Sequence, residues 1–484
     1  LSFVFYDTET TGTHSAFDQI LQFAAIRTDD DLQEIDRFEI RSRLLPYVVP
    51  SPGALRVTGL TIDQLLDEAL PSHYEMVAQM RRALGAWCPA AFVGYNSLRF
   101  DEEFLRQAFY QCLHPPYLTN TGGSRRADAL HLVRAAAMLH PNRIVVAKND
   151  KGRSSFKLDR LAPANGYNHP NAHEAMADVE ALIFLCRLVR DRCPELWGRF
   201  LRFADKGAVT SFIDDEDAFL LMEFYPAKTE EFVVTALGRN PSQPNVVYAY
   251  DLNVDPAELR SLEGSELIAR LAGKRKPIRK VKVNAGPCLC PISEAPSELL
   301  CGVSAEEFAR KARAIQSDRA FVQRLVAAAS EAEKPHSSSP YVERRIYQGF
   351  WSRSDARKLE AFHEAPWEQR ALIADSLEDD RLAWLARRLI LVERPQCLST
   401  AHRNSLINEI ACRLLADDAN CGGWTTLTKA ASDLSVVTQE LDGEAAGHMQ
   451  RLGDHLAEVA AGARSALDRS RTLIRDSNPQ RALL

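Results

Sequence analysis

Residues 2–12, Ser2-Phe-Val-Phe-Tyr-Asp7-Thr-Glu9-Thr-Thr-Gly12, run from apolar side chains into two carboxylates and a turn. Ser2–Tyr6 has the length and composition of a short strand. Alternation puts residues i and i+2 of a strand on one face, so Asp7 and Glu9 project together from its end. Carboxylates crowded in this way repel each other unless a cation joins them, and hard oxygen donors suit Mg²⁺ or Mn²⁺. Taken alone, Asp-x-Glu reads first as the solvated end of a strand.

Further along, Ile20–Thr28 is a second apolar run, closed by the polar turn Asp29–Asp31. Phe38–Leu44 is a third, and the three predict an antiparallel meander. Thr61 is placed to cap a helix over Ile62–Ala69, and another helix is predicted near Tyr74–Trp87. Ala91–Gly94 is a buried strand that enters Tyr95-Asn96-Ser97. Phe100, Phe104, Ala108 and Cys112 recur every four residues and predict a helix over Arg99–Leu113, with Asp101 in its first turn. Further helices are expected over Asp128–Met138 and Ala172–Cys193, the latter with Ala181, Leu182, Leu185 and Val189 on one stripe. Strands first with helices around them describe an α/β domain over residues 1–193.

At 484 residues the chain is long enough for about three domains. Past Pro194, short strand-like runs (Glu231–Ala236, Val246–Tyr250, Lys280–Val283) broken by Pro and Gly predict a small strand-rich domain over 194–346. Glu333–Pro340 reads as an exposed loop. From Ser352 the pattern is helical, which gives a C-terminal helical domain over 347–484. The net charge of −6, from 59 Lys+Arg and 65 Asp+Glu, excludes a polycation, so a nucleic-acid partner would need local positive charge. The ten cysteines are scattered, and Cys288-Leu-Cys290 has the wrong spacing for a zinc knuckle, so free thiols in a reducing compartment are expected. No segment approaches the roughly 18 apolar residues of a membrane span. The first residues lack a basic leader, so a cytoplasmic location is expected.

Two further acids and a histidine complete the candidate site. Asp101 follows a buried strand that ends in Gly94-Tyr95-Asn96. His173 and Asp178 lie five residues apart, a rotation of about 140° in a helix, so they cannot share a face of one regular helix. His173 is therefore expected at a loop-to-helix junction and Asp178 on the inward stripe. Four carboxylates and an imidazole at the ends of elements meet the needs of two-metal phosphoryl chemistry: the acids hold two ions about 4 Å apart and a base takes a proton from water. His173 suits the base, since its unperturbed pKa lies near working pH.

The motifs Asp7-Thr-Glu-Thr-Thr-Gly12, Val57-Thr-Gly-Leu-Thr61, Gly94-Tyr-Asn-x-x-Arg-Phe-Asp101 and His173-x-Ala-x-x-Asp178 resemble those of DEDDh exonucleases. Phe23-Ala-Ala-Ile-Arg-Thr-Asp29, Ser155-Phe-Lys-Leu158 and the stretch Ala164–Asp178 are similar to the bacterial exodeoxyribonuclease I family. The likeness is close over residues 3–193 and thinner at Tyr347-Gln-Gly-Phe-Trp-Ser352. It implies a ribonuclease-H-like α/β exonuclease domain (a mixed sheet flanked by helices), an SH3-like strand-rich domain and an all-helical C-terminal domain. It also implies 3′→5′ hydrolysis of single-stranded DNA to 5′-mononucleotides, in DNA repair and recombination. Asp7, Glu9, Asp101 and Asp178 would hold two Mg²⁺ ions, or Mn²⁺, with His173 as base. Glu9, His173, Lys157, Arg106, Tyr117 and Arg134 would contact substrate. By spacing alone, Arg106 and Arg134 read equally well as solvated helix faces. Thr121 departs from the pattern, where relatives can offer an aromatic residue.

The resemblance further implies a monomer associated with the nucleoid, a groove closed over the strand by the second and third domains, and one protein partner. That partner is the acidic C-terminal tail of the single-stranded-DNA-binding protein. The run Lys274-Arg-Lys-Pro-Ile-Arg-Lys-Val-Lys282 reads either as a track for the DNA backbone or as a solvated hairpin. An RNA-trimming or proofreading exonuclease is the nearer rival, but such enzymes usually need only the first domain. A non-catalytic strand-binding scaffold on the same fold is the rival of a different class.

Overall fold

The computed structural model describes residues 2–169, 173–225, 228–333, 338–439 and 441–477. The opening apolar run extends into β1 (Ser2–Thr10), paired antiparallel with β2 (Ile20–Thr28), which pairs antiparallel with β3 (Glu34–Arg41). β1 also pairs in parallel with β4 (Ala90–Gly94), and β4 with β5 (Arg125–Asp128), giving the order β3-β2-β1-β4-β5. The meander is as expected. Its third strand sits earlier than Phe38–Leu44, because the turn after Asp29 is short.

β1 is central and covered on both faces, so its apolar run is continuous and not alternating. Phe3 and Phe5 enter a core with Val179, Leu182 and Leu185 of the Ala175–Arg192 helix. Val4 and Tyr6 enter the opposite core, with Val77 and Met80 of the His73–Trp87 helix and Leu105 and Phe109 of the Asp101–Gln111 helix. The predicted helix over Ile62–Ala69 is a single turn, Ile62–Leu65, closed by a reciprocal capping box between Thr61 and Gln64. Arg99 belongs to a separate short turn, Ser97–Arg99, and the helix begins at Asp101. The last helix of the domain begins at Ala175, and Ala172 lies outside the described residues.

A small separate hairpin, β6 (Ala147–Lys148) and β7 (Ser154–Ser155), packs against the helix Leu158–Ala164. The second sheet is antiparallel throughout: β8 (Phe219–Phe224), β9 (Thr229–Arg239), β10 (Val246–Asp251), β11 (Ile278–Lys282) and β12 (Cys288–Pro291), in the order β11-β10-β9-β8-β12. Helices Ala305–Ser317 and Arg319–Glu331 pack on β9. From Arg353 onward the regular elements of the described residues are helical. Leu359, Phe362, Leu382 and Ile390 of this region share the core that holds Val4 and Tyr6, so the helical region is built onto the first sheet. Of the expected loop at 333–340, residues 334–337 lie outside the described residues. Among the described residues no helix is long and apolar enough to cross a membrane, and all ten cysteines are free.

Candidate active site

The site forms where β1 and β4 end side by side. Gly94 closes β4 because the chain passes too near its neighbours for a side chain. A Cβ there would lie 2.4 Å from the Ser97 Cβ and 3.2 Å from the Tyr6 carbonyl. The following turn hangs on Asp128, the last residue of β5. Its Oδ1 accepts from Asn96 N at 2.8 Å and Leu130 N at 3.0 Å, and its Oδ2 from Leu98 N at 3.2 Å. This turn delivers Asp101 to the first position of its helix, with its carboxylate against β1. Thr8 donates to Asp101 Oδ1 from its backbone N at 3.1 Å and from its hydroxyl at 2.6 Å.

Asp7, Glu9 and Asp178 bring one carboxylate oxygen each within 4.8 Å of one another. Asp101 stands beside this trio, with its Oδ1 committed to Thr8. His173 lies two residues before its helix, at the junction, with a left-handed φ of 69°. Its backbone N is 3.4 Å from Asp178 Oδ1. His169, which sequence reasoning passed over, lies closer: its Nε2 is 2.8 Å from the same oxygen. The only hint was an imidazole four residues before His173 inside a stretch already singled out.

Charge around Asp7 and Glu9 is one-sided, whereas Asp178 also feels His169 and His173. Burial first, then the neighbouring carboxylates Asp101, Asp178 and Glu9, push Asp7 well above the ordinary aspartate range. Burial, then Asp178 and Asp101, push Glu9 to about 8. Burial raises Asp101 to about 7 against the hydrogen bonds from Thr8. Among the described residues, the charges acting on Asp7 and Glu9 are those of other acids. Acids crowded out of water with no internal counter-cation favour either protons or a metal. The donor set is all oxygen, which fits hard divalent ions such as Mg²⁺ or Mn²⁺.

Arg134, Lys157, His173 and Asp178 line one cleft of about 930 Å³ between the first sheet and the β8–β9 turn, which contributes Tyr225 and Lys228. Arg134 is fixed there and not solvated on a free helix face. Its Nη1 donates to the Tyr225 carbonyl at 2.8 Å, and its guanidinium lies over Phe156 and Phe224. Arg106 and Tyr117 form a second group that does not line this cleft. Arg106 is buried, lies 5.3 Å over the Tyr117 ring and is paired with Glu102. The basic run over 274–282 is weaker than its composition suggests: Arg279 pairs with Glu223 and Glu230, and Lys280 with Glu333.

The RNase_T family, described as an exonuclease family, matches residues 4–185, which include every acid of this site. Exodeoxyribonuclease I of Escherichia coli K12 is 31% identical over 370 residues, covering 73% of this chain and 77% of that protein. The chain belongs to the exodeoxyribonuclease I family and is an exonuclease, a phosphodiester hydrolase. The crystal structure of E. coli exonuclease I with a dA16 oligonucleotide superposes with a TM-score of 0.83 at 25% identity, covering 95% of this chain and 99% of that one. A structure of SSB/exonuclease I with the inhibitor CFAM superposes with a TM-score of 0.80 at 26% identity and the same coverage.

Proposed function

We propose that the chain removes 5′-mononucleotides from the 3′ end of single-stranded DNA, in repair and recombination. One observation carries the reading: Asp7, Glu9 and Asp178 bring carboxylate oxygens within 4.8 Å of one another beside Asp101, and among the described residues the charges that act on Asp7 and Glu9 are those of other acids. Asp7, Glu9, Asp101 and Asp178 would hold two divalent ions, Mg²⁺ or Mn²⁺. When bound, such ions supply charge stabilisation to the attacking and leaving oxygens of the phosphodiester. His173, on the cleft wall, takes the proton from the attacking water. Lys157 and Arg134 face the phosphates, and Tyr117, with Arg106 across its ring, offers a stacking face to an unpaired base.

The division into 1–193, 194–346 and 347–484 is part of the same proposal, with the middle region SH3-like and the groove between the regions holding the strand. The dA16 complex of the E. coli relative supports a DNA strand as substrate. The SSB/exonuclease I structure supports the single-stranded-DNA-binding protein as a partner of this chain, and the contact proposed is with its acidic tail. A cytoplasmic monomer at the nucleoid goes with this reading.

The test uses 5′-labelled single-stranded DNA, matching RNA and blunt duplex, each with Mg²⁺ or with chelator. A ladder that shortens from the 3′ end of DNA alone, and stops with chelator, is expected. Equal degradation of RNA refutes the substrate assignment.

A further inference from the structure

Glu102 follows Asp101 in the first turn of the same helix and is fully buried. Its Oε1 accepts from Thr119 Oγ1 at 2.7 Å, Arg106 Nε at 2.8 Å and Arg126 Nη1 at 3.0 Å. Its Oε2 accepts from the Tyr6 hydroxyl at 3.3 Å. Tyr6 and Thr8 share a face of β1 by alternation. One strand therefore grips two consecutive acids: Thr8 holds Asp101 and Tyr6 holds Glu102.

The two arginines reach further. Arg106 Nη1 donates to the Tyr347 hydroxyl at 3.3 Å, in the segment that leads into the helical region, and that hydroxyl donates to Glu103 Oε2 at 2.5 Å. Arg126 Nη2 donates to the Asn284 carbonyl at 3.3 Å, just beyond β11 of the second sheet. A single carboxylate next to Asp101 thus ties the first sheet to both other regions.

A buried carboxylate between two guanidiniums is a poor way to gain stability, since apolar side chains of similar volume serve as well. What it does provide is direction. Rotation of the first turn of this helix would carry Asp101 and Glu102 together, and the Glu102 contacts oppose it. We infer that Glu102 is a positioning residue for Asp101, and that it makes the carboxylate geometry depend on how the second sheet and the helical region dock. The inference rests on the reading of Asp101 as a metal ligand.

Glu102→Gln and Tyr347→Phe in the full-length chain test it. The readouts are the Mg²⁺ concentration for half-maximal turnover, kcat and KM on single-stranded DNA, and Mn²⁺ binding by electron paramagnetic resonance without DNA. Glu102→Gln is expected to raise the Mg²⁺ requirement by about 10- to 100-fold and to weaken Mn²⁺ binding likewise. KM should stay within about twofold. Tyr347→Phe should move the Mg²⁺ requirement in the same direction by a smaller factor. An unshifted Mg²⁺ requirement in both variants, or a change confined to KM, overturns the inference. If Glu102→Gln does not fold, Tyr347→Phe decides alone by the same criterion. Asp101→Asn separates the two levels. Full activity in that variant, or an inactive wild type, defeats the metal-site reading itself. An inactive Asp101→Asn beside unshifted Glu102→Gln and Tyr347→Phe defeats only the positioning role.

Discussion

Glu343, where the chain enters the helical region, is 1% exposed and lies between Arg388 and Arg413, whose Nη1 atoms donate to its Oε1 at 2.7 and 2.6 Å. Glu9, at the end of β1, is 9% exposed, and the charges acting on it are other acids. Burial raises both groups. At Glu343 the two guanidiniums outweigh it and hold the carboxyl below its usual range, whereas at Glu9 the neighbouring acids add to it and the carboxyl stands at about 8. Burial of an acid therefore says little by itself. The sign of its neighbours decides whether it is a fastening or a seat for a cation.

Removing one acid from each region should have opposite consequences. Asp7→Ala should abolish cleavage, a loss of about three orders of magnitude or more in kcat, with single-strand binding largely kept. A gel-shift assay beside the nuclease assay checks both, and unchanged turnover would refute the metal assignment. Glu343→Ala should instead unfold the chain more easily, by about 3 kcal/mol, because it strands the buried guanidinium of Arg388, while the half-buried Arg413 keeps Glu409. Its Mg²⁺ requirement should be that of the wild type, and a shifted requirement would erase the contrast.

His173→Ala sharpens the comparison from the side of chemistry. Its kcat should fall by roughly two to four orders of magnitude. A change confined to KM would mean that His173 only binds substrate.

The smallest effect concerns pH. Glu9 moves from an ordinary 4.5 to about 8 in the folded chain, so the folded state holds its proton more tightly than the unfolded state does. In chelator, stability should therefore fall as pH rises from about 4.5 to about 8, the reverse of the usual carboxylate trend. Mg²⁺ should flatten that slope, because a bound cation replaces the proton. Thermal unfolding with and without Mg²⁺ measures it, and a flat profile in chelator would contradict the electrostatic reading.

Much of the site was legible because it rests on local rules. Alternation placed Asp7 and Glu9 together, and the rotation between His173 and Asp178 required a junction that the structure shows. The metal-ligand and base roles themselves await the variants above. Helix and strand ends were less legible. Asp101, and not Arg99, opens its helix because Asp128 pulls the preceding turn onto β5 from 32 residues away. His169 escaped notice because a histidine in a loop has no periodicity to mark it.

The sequence alone determined the alternating strand that aims two acids from one edge, the order of strand-rich and helical stretches, and the inventory of acids. These depend on neighbours a few residues apart, which bond geometry and side-chain periodicity fix. Only the tertiary structure decided which charges meet which. Glu102 and Glu343 each lie between two arginines, and of these only Arg106, four residues along the same helix, is a neighbour in sequence, whereas Arg126, Arg388 and Arg413 come from 24, 45 and 70 residues away. The charges that act on Asp7 and Glu9 among the described residues are those of other acids. Coulomb interactions depend on distance in space and on the exclusion of water, and neither can be counted along a sequence.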